Sequence, residues 1–315
     1  MRPNSASSMA LEHLPMRRFS WAASGGFIAL LASLLVSRVA FGQGSPCSRV
    51  VSLAPSVTEL LFDLDLGSSV VGVTRFCRYP SAARGIAHVG GMFDLNVEQI
   101  VALRPTHVFA LAESEHQVEL LKRFGITVVI VDHRRVDGIL ESYRAVGAHC
   151  AVQEAVSRRI EQFEREERTI KARCANPDEA HTPLQTMVVV GRSGNPSAHA
   201  ELYISGSDGF YSDVLRLVGA RNVHTTKTVA VPTLSAEGLL KLNPDVILEV
   251  VQDNDELGAG LGDSNRARRR SFWNRFGTLK AVSHNKVFIL DDDFASIPGP
   301  RYIELARKLS GLLCR

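Results

Sequence analysis

The sequence predicts an α/β protein of two related lobes bridged by one long helix. The first observation is a repeat. Leu95–Ala110 returns 139 positions later as Leu234–Glu249, and Leu95/Leu234, Glu98/Glu237, Leu103/Leu242 and Pro105/Pro244 are identical without a gap. Each copy reads as a short helix, a proline that stops it, and a β-branched strand. The second observation is the alternation of strand and helix patterns on both sides of the middle, which argues for parallel, helix-covered sheets with binding loops at the strands' carboxyl ends. The third is the stretch Val152 to Arg173, highly charged with a sparse apolar line of Ile160, Phe163 and Ile170. As a helix of about 22 residues it would span roughly 33 Å, the width of a small domain.

The chain's net charge of +3 comes from its first 42 residues, where Arg2, Arg17, Arg18 and Arg38 stand against Glu12. The remaining residues balance, which removes any electrostatic case for nucleic acid. Within that segment Met16-Arg17-Arg18 precedes an apolar run centred on Phe27 to Val36, and Ala40-Phe41-Gly42 supplies small residues. This is the order of a secretory signal (residues 1–42) cleaved after Gly42, with an uncleaved anchor as the alternative and Met16 as a second candidate start. The mature protein is expected outside the cytoplasm. Five cysteines (Cys47, Cys77, Cys150, Cys174 and Cys314) then favour disulfides with at least one thiol left over. Their spacing does not give the pairing.

A first lobe, residues 48–150, opens with the strand Val50 to Ala54. A helix over Thr58 to Leu66 follows, with Ser56 and Glu59 placed as a capping box and Gly67 as its stop. Val70 to Val73 is the next strand, then a loop to Pro80 and Gly90-Gly91 ahead of the first repeat, where Asn96 suits an N-cap. Thr106 to Ala110 is a strand, Glu113 to His116 a polar loop, and a helix to Phe124 ends at Gly125 before the strand Val128 to Val131. Asp137 onward is helical, and residues 151–174 form the connecting helix.

The second lobe, residues 184–315, opens at Met187 to Val190 as the first did at Val50. A polar loop over Gly191 to Ala200 leads to a helix over Asp208 to Val218, closed by Gly219. Ser235 caps the second repeat, and Asp253 to Asp263 is a loop. Trp273 and Phe276 mark an amphipathic helix, Arg266 to Arg270 a solvated basic face, and Val287 to Leu290 a strand. Pro298-Gly299-Pro300-Arg301 starts the terminal helix, with Pro300 at its first position.

No GxSxG, P-loop, GxGxxG or HExxH signature occurs, and no two of the ten histidines stand at ligand spacing. His88, His116, His199 and His224 fall in predicted loops, and Asp291-Asp292-Asp293 reads as turn chemistry rather than a cation site. These negatives point away from an enzyme, a resident cofactor or a structural metal.

Arg49 to Glu59, Gly90-Gly91 leading to Asn96-Val97-Glu98, Leu234 to Glu237 with Asn243 to Ile247, and Pro298 to Arg301 stand in order. With the secretory signal, this set resembles the helical-backbone class of periplasmic substrate-binding proteins, which deliver cobalamin, ferric siderophores and haem to ABC importers. The resemblance covers about residues 48 to 313. It implies two Rossmann-like lobes, a ligand cleft between them, and one exposed glutamate per lobe that docks on the permease; Glu98 and Glu237 hold those positions. A monomer that closes by a small angle is implied, because a helical strut bends less than a two-strand hinge.

For the ligand the resemblance gives less. Cobalamin-binding members line the cleft with tryptophan and tyrosine, whereas the matching positions here are Phe76, Met92, Leu111 and Val231. Arg75, Arg78, Arg192 and Lys227 suit ligand carboxylates, with Arg301 beside them. Tyr79 and Tyr203 are candidate haem-iron ligands, and Phe93 and Phe294 candidate apolar walls. A disulfide found in some members would need a cysteine near Val218 to meet the terminal helix, and only Cys314 is present. The alternatives to a chelate receptor are a chelatase-like tetrapyrrole or metal enzyme on the same architecture, and a receptor for free metal ions.

Overall fold

The computed structural model describes residues 45–91, 94–175, 182–193, 201–226, 230–251 and 263–314. The expected signal segment, Met92, Phe93, His199, Lys227 and most of the expected Asp253 to Asp263 loop lie outside them. The first lobe carries four parallel strands, β1 (Val50–Ser52), β2 (Val70–Val73), β3 (His107–Leu111) and β4 (Thr127–Val131), in the order β2-β1-β3-β4. Helices α1 (Pro55–Asp63), α2 (Val97–Ala102), α3 (Glu115–Lys122) and α4 (Val136–Cys150) connect and cover them. Alternating side chains go to opposite faces: Val50 packs with α1 and α4, whereas Val51 packs with Ile100 of α2 and Val118 of α3.

The second lobe has β5 (Gln185–Arg192), β6 (Leu202–Ile204), β7 (Arg221–Asn222), β8 (Thr233–Leu234), β9 (Val246–Val250) and β10 (Val287–Leu290). Their order is β10-β9-β5-β6-β8, with β7 on the first residues of β5. β9 and β10 run parallel to β5, while β6 returns antiparallel. The expected loop after Val190 is therefore partly strand: β5 continues through Gly191 and Arg192, and Tyr203 pairs opposite Gly191. The lobe's helices are α6 (Phe210–Leu217), α7 (Ala236–Leu242), α8 (Asp263–Asn274), α9 (Lys280–Ser283), α10 (Asp293–Ser296) and α11 (Tyr302–Leu313).

Between the lobes lies α5 (Gln153–Cys174), 22 residues long as the charge pattern predicts. Its buried line is Val156, Ile160, Phe163 and Ile170. Phe163 is the key: its ring meets Tyr143 of α4 at 5.5 Å on one side and Tyr302 of α11 at 5.3 Å on the other. One strut residue thus packs against both lobes, and each such buried aromatic is worth a few kcal/mol. Asp63 fixes the strut to α1 by accepting from the Tyr143 hydroxyl and, at 2.5 Å, from Arg159 Nε.

Two disulfides bracket the strut. Cys47–Cys150 joins the start of the first lobe to the residue where α4 ends, and Cys174–Cys314 joins the last residue of α5 to the chain's end. Cys314 Sγ sits 3.6 Å from the Val218 carbonyl oxygen, so the terminal helix reaches the expected place and Cys174 supplies the partner. Cys77 remains a buried thiol.

Local boundaries differ in instructive ways. α1 begins at Pro55, at the first helical position, with Ala54 as an N-cap that makes no side-chain bond. Ser56 and Glu59 are thereby inside the helix, and the expected capping box does not form. Asp65, at φ 59°, turns the chain after α1, not Gly67. His116 lies in the first turn of α3 rather than in a loop. At the terminal helix Arg301 is the N-cap and Tyr302 the first residue, so Pro300 sits just outside.

Candidate functional site

The two repeats fold alike. Asn96 Oδ1 accepts from the Gln99 N–H at 2.9 Å, and Ser235 Oγ accepts from the Gly238 N–H at 3.2 Å. Glu98 and Glu237 are both the second residue of their helices, both exposed, and both complement the local helix dipole. Arg104 (φ 46°) and Asn243 (φ 38°), the paired positions before the prolines, both turn left-handed to end the helix. α2 and α7 each cover the sheet face that does not pack in the strut's core cluster.

The loops after β1, β2 and β4 meet the segment after β10 at a charged floor. Glu59 of α1 is buried, and Arg301 of the second lobe grips it with Nε at 3.0 Å and Nη2 at 2.6 Å. Arg301 Nη1 reaches Asp293 at 2.7 Å, and its guanidinium lies 4.0 Å from the ring centroid of Tyr79 and 5.9 Å from that of Phe294. Burial pushes the Glu59 carboxyl up to about 7 against the pull of Arg301. Burial also lowers Arg301, but its bonds to Glu59 and Asp293 more than offset this and raise it overall.

Beside that pair, Ser56 Oγ bonds to His133 Nδ1 at 2.8 Å. Burial holds His133 down to about 4, so the ring is neutral at physiological pH. Gly299 backs onto the same helix; a Cβ there would lie 2.8 Å from Ser56 Cβ. Further along the lobe junction, Asp213 of α6 accepts from the Val136 N–H and from Arg135 Nη2, both at 3.0 Å.

Above the floor the exposed rings are Phe76 and Tyr79 of the first lobe, at 49% and 44% of their full accessible surface. Arg75 flanks Phe76 (5.3 Å to its centroid) and pairs with Asp94, whose carboxyl it holds below the usual range. Arg78 is half-buried in the same loop, and Phe294 of α10 is half-buried as well. Tyr203 is exposed on β6, and Val231 is exposed. The structure thus gathers Phe76, Tyr79, Phe294 and Arg301, with Arg75 and Arg78 in the same loop as Tyr79. Arg192 and Tyr203 lie at the far end of β5 and on β6, whereas Met92, Phe93 and Lys227 are outside the described residues.

Arg301 is not a free cation awaiting a ligand: each of its three nitrogens donates to Glu59 or Asp293, and its guanidinium stacks on Tyr79. Its partner Glu59 was hidden in the sequence by the capping pattern, although Pro55 at the first helical position signals a helix start too early for that box. The three consecutive aspartates are each taken by one basic residue, Asp291 by Arg266, Asp292 by Lys308 and Asp293 by Arg301. Arg266 and Arg269 are likewise engaged, with Asp291 and Glu249, which corrects the expectation of a merely solvated basic face. Among the described residues no group of three His, Cys, Asp or Glu is arranged to hold a metal, and no helix is long and apolar enough to cross a membrane.

Comparison with known proteins places this geometry. Residues 50–294 match the model of the periplasmic binding protein family. The chain belongs to that family. An uncharacterised ABC-transporter substrate-binding lipoprotein of Bacillus subtilis is 29% identical over 83% of this chain and 78% of its own length. The vitamin B12-binding protein of Pectobacterium atrosepticum is 26% identical over 91% and 95%. Among solved structures, the periplasmic vitamin B12-binding protein of Vibrio cholerae superposes with a TM-score of 0.70 at 22% identity, covering 85% of this chain and 97% of that one. A periplasmic heme-binding protein solved with two hemes gives 0.66 at 26% identity, covering 84% and 99%. The fold is that of the two-lobed, helix-joined periplasmic binding proteins. Substrate-binding proteins of this kind carry a ligand to a membrane permease and are not enzymes.

Proposed function

We propose that the protein is the extracytoplasmic receptor of an ABC importer and that its ligand is a metal chelate, a ferric siderophore, haem or a corrinoid. The observation that carries this is the floor between the lobes, where Tyr79 rests on the Arg301 guanidinium with Phe76 exposed alongside and Phe294 facing it. Exposed rings, one of them stacked on a held guanidinium, suit a flat, delocalised ligand. The relatives that bind vitamin B12 and heme support the same class.

In this reading lobes 48–150 and 184–315 close on the ligand by bending the strut, and Arg75, Phe76, Arg78, Arg192, Tyr203 and Phe294 line the cleft. Arg301 acts through Tyr79, whose hydroxyl is the candidate for an iron ligand in a haem complex. The mature protein is a monomer cleaved after Gly42, and it docks on the permease through Glu98 and Glu237, two carboxylates fixed at equivalent helix positions. The test is titration of the purified protein and its Tyr79→Ala and Phe76→Ala variants with iron protoporphyrin, cobalamin and ferric hydroxamates. The reading expects each variant to weaken binding of the preferred chelate at least tenfold. Unchanged affinity in both would remove the floor from the site.

A further inference from the structure

Glu249 is the fourth residue of β9, a central strand, and only 1% of its surface is exposed. A carboxylate so placed is costly unless donors surround it. Its Oε2 accepts from the Trp273 indole N–H at 2.7 Å, and its Oε1 accepts from Arg269. Arg192, the last residue of β5, approaches from the margin: its Nε is 3.4 Å from the same Oε1, and its guanidinium lies 4.7 Å from the Phe272 centroid. The two terminal nitrogens of Arg192 have no hydrogen-bond acceptor among the described residues. Arg268, exposed on the same helix as Arg269, adds a third positive charge.

One buried carboxylate therefore meets two guanidiniums, those of Arg269 and Arg192, while Arg268 donates to Asn265 Oδ1 at 2.7 Å and adds its charge to the field at Arg192. Burial lowers Arg192, and the repulsion of Arg269 and Arg268 lowers it further, against the pull of Glu249. Arginine stays protonated regardless, so this unfavourable field is met by an arriving anion instead of by loss of a proton. The place is suited to a ligand: Arg192 and Glu249 stand at the carboxyl ends of parallel neighbours. Tyr203, exposed, crosses Gly191 next to Arg192, where a Cβ would lie 3.2 Å from its ring.

We propose that Arg192, with Arg269 held beside it on Glu249 and the exposed Arg268 on the same helix, forms an anion subsite that takes a carboxylate or phosphate group. Glu249 and Trp273 position the arginines, and the terminal nitrogens of Arg192 make the contact in the bidentate manner guanidinium allows. This deepens the chelate reading by assigning the ligand's acidic substituent to the second lobe.

The site contains its own reporter. The chain has two tryptophans, Trp21 in the N-terminal segment and Trp273 bonded to Glu249. In full-length protein carrying Trp21→Phe, emission from Trp273 is followed while citrate is added at constant ionic strength, with triethyl citrate as the neutral control. The expected result is a saturable change with citrate and none with the ester. Its midpoint should weaken at least tenfold in Arg192→Gln, weaken in Arg268→Gln, and recover in part in Arg192→Lys, with thermal melts showing each variant folded. No saturable response, or the same response in folded Arg192→Gln, overturns the subsite.

A second arm, read by porphyrin absorbance, compares iron protoporphyrin with its dimethyl ester. A preference for the free acid that disappears in Arg192→Gln assigns the anion to the chelate. A citrate response without any chelate binding leaves the subsite standing for a free polyanion and removes the chelate reading. Chelate binding that is indifferent to esterification and to Arg192 does the reverse.

Discussion

Removing the Cys174–Cys314 bridge should cost the protein stability without touching its ligand site. The two disulfides close loops of 103 and 140 residues that follow one another along the chain and do not overlap. In the chain-entropy account a loop of about 100 residues is worth roughly 4.7 kcal/mol and one of 140 roughly 5 kcal/mol, with natural bridges often delivering about 2–4 kcal/mol. At roughly 2–4 °C per kcal/mol for a protein of this size, each double-serine variant should melt about 10 °C lower. Because the closed loops are separate, the two losses should add. The assay is thermal unfolding by circular dichroism of the parent, Cys174→Ser with Cys314→Ser, Cys47→Ser with Cys150→Ser, and the quadruple variant. Below its transition each variant should bind the same chelate with the parent's affinity, since both bridges lie at the strut's ends. A double variant melting within about 2 °C of the oxidised parent would refute the reasoning, as would a quadruple variant no worse than the doubles.

Reversing both docking charges, Glu98→Lys with Glu237→Lys, should abolish uptake in cells while leaving chelate affinity unchanged; lost affinity would contradict the docking assignment. Glu59 predicts a pH effect with a definite sign. Its folded pKa of about 7 lies above the ordinary 4.5, so its contribution is fully present below about pH 4.5 and is lost as pH rises through 7. The stability of Glu59→Gln relative to the parent should therefore increase from pH 5 to pH 7.5, by about 1–3 kcal/mol. A flat difference in denaturant melts would rule this out. Gly299→Val should force the lobe junction apart against Ser56 and destabilise by about 1–3 kcal/mol, with weaker chelate binding; a neutral result would show that the junction yields freely.

Much of this architecture was legible because it rests on local chemistry. Asn96 and Ser235 cap as their side chains predict, the prolines at 105 and 244 follow helix ends as expected, and the strut runs Gln153–Cys174 where the charge pattern put it. What was illegible depends on distant partners. Glu59 matches a capping motif locally, but its partner Arg301 is 242 residues away. β6 is three residues long and antiparallel to β5, too short for an alternation to register. Cysteine spacing could not pair Cys174 with Cys314, since that depends on α5 and α11 ending side by side. Arg266 and Arg269 looked solvated because their partners, Asp291 just past β10 and Glu249 on β9, lie beside the helix only in three dimensions.

The most direct test of the whole account is a binding titration of the folded mature protein with haem, cobalamin and a panel of ferric siderophores, followed by ligand absorbance and Trp273 emission. The expected result is saturable one-to-one binding of one of these chelates, weakened at least tenfold by Tyr79→Ala. A protein shown to be folded that binds none of them would contradict it.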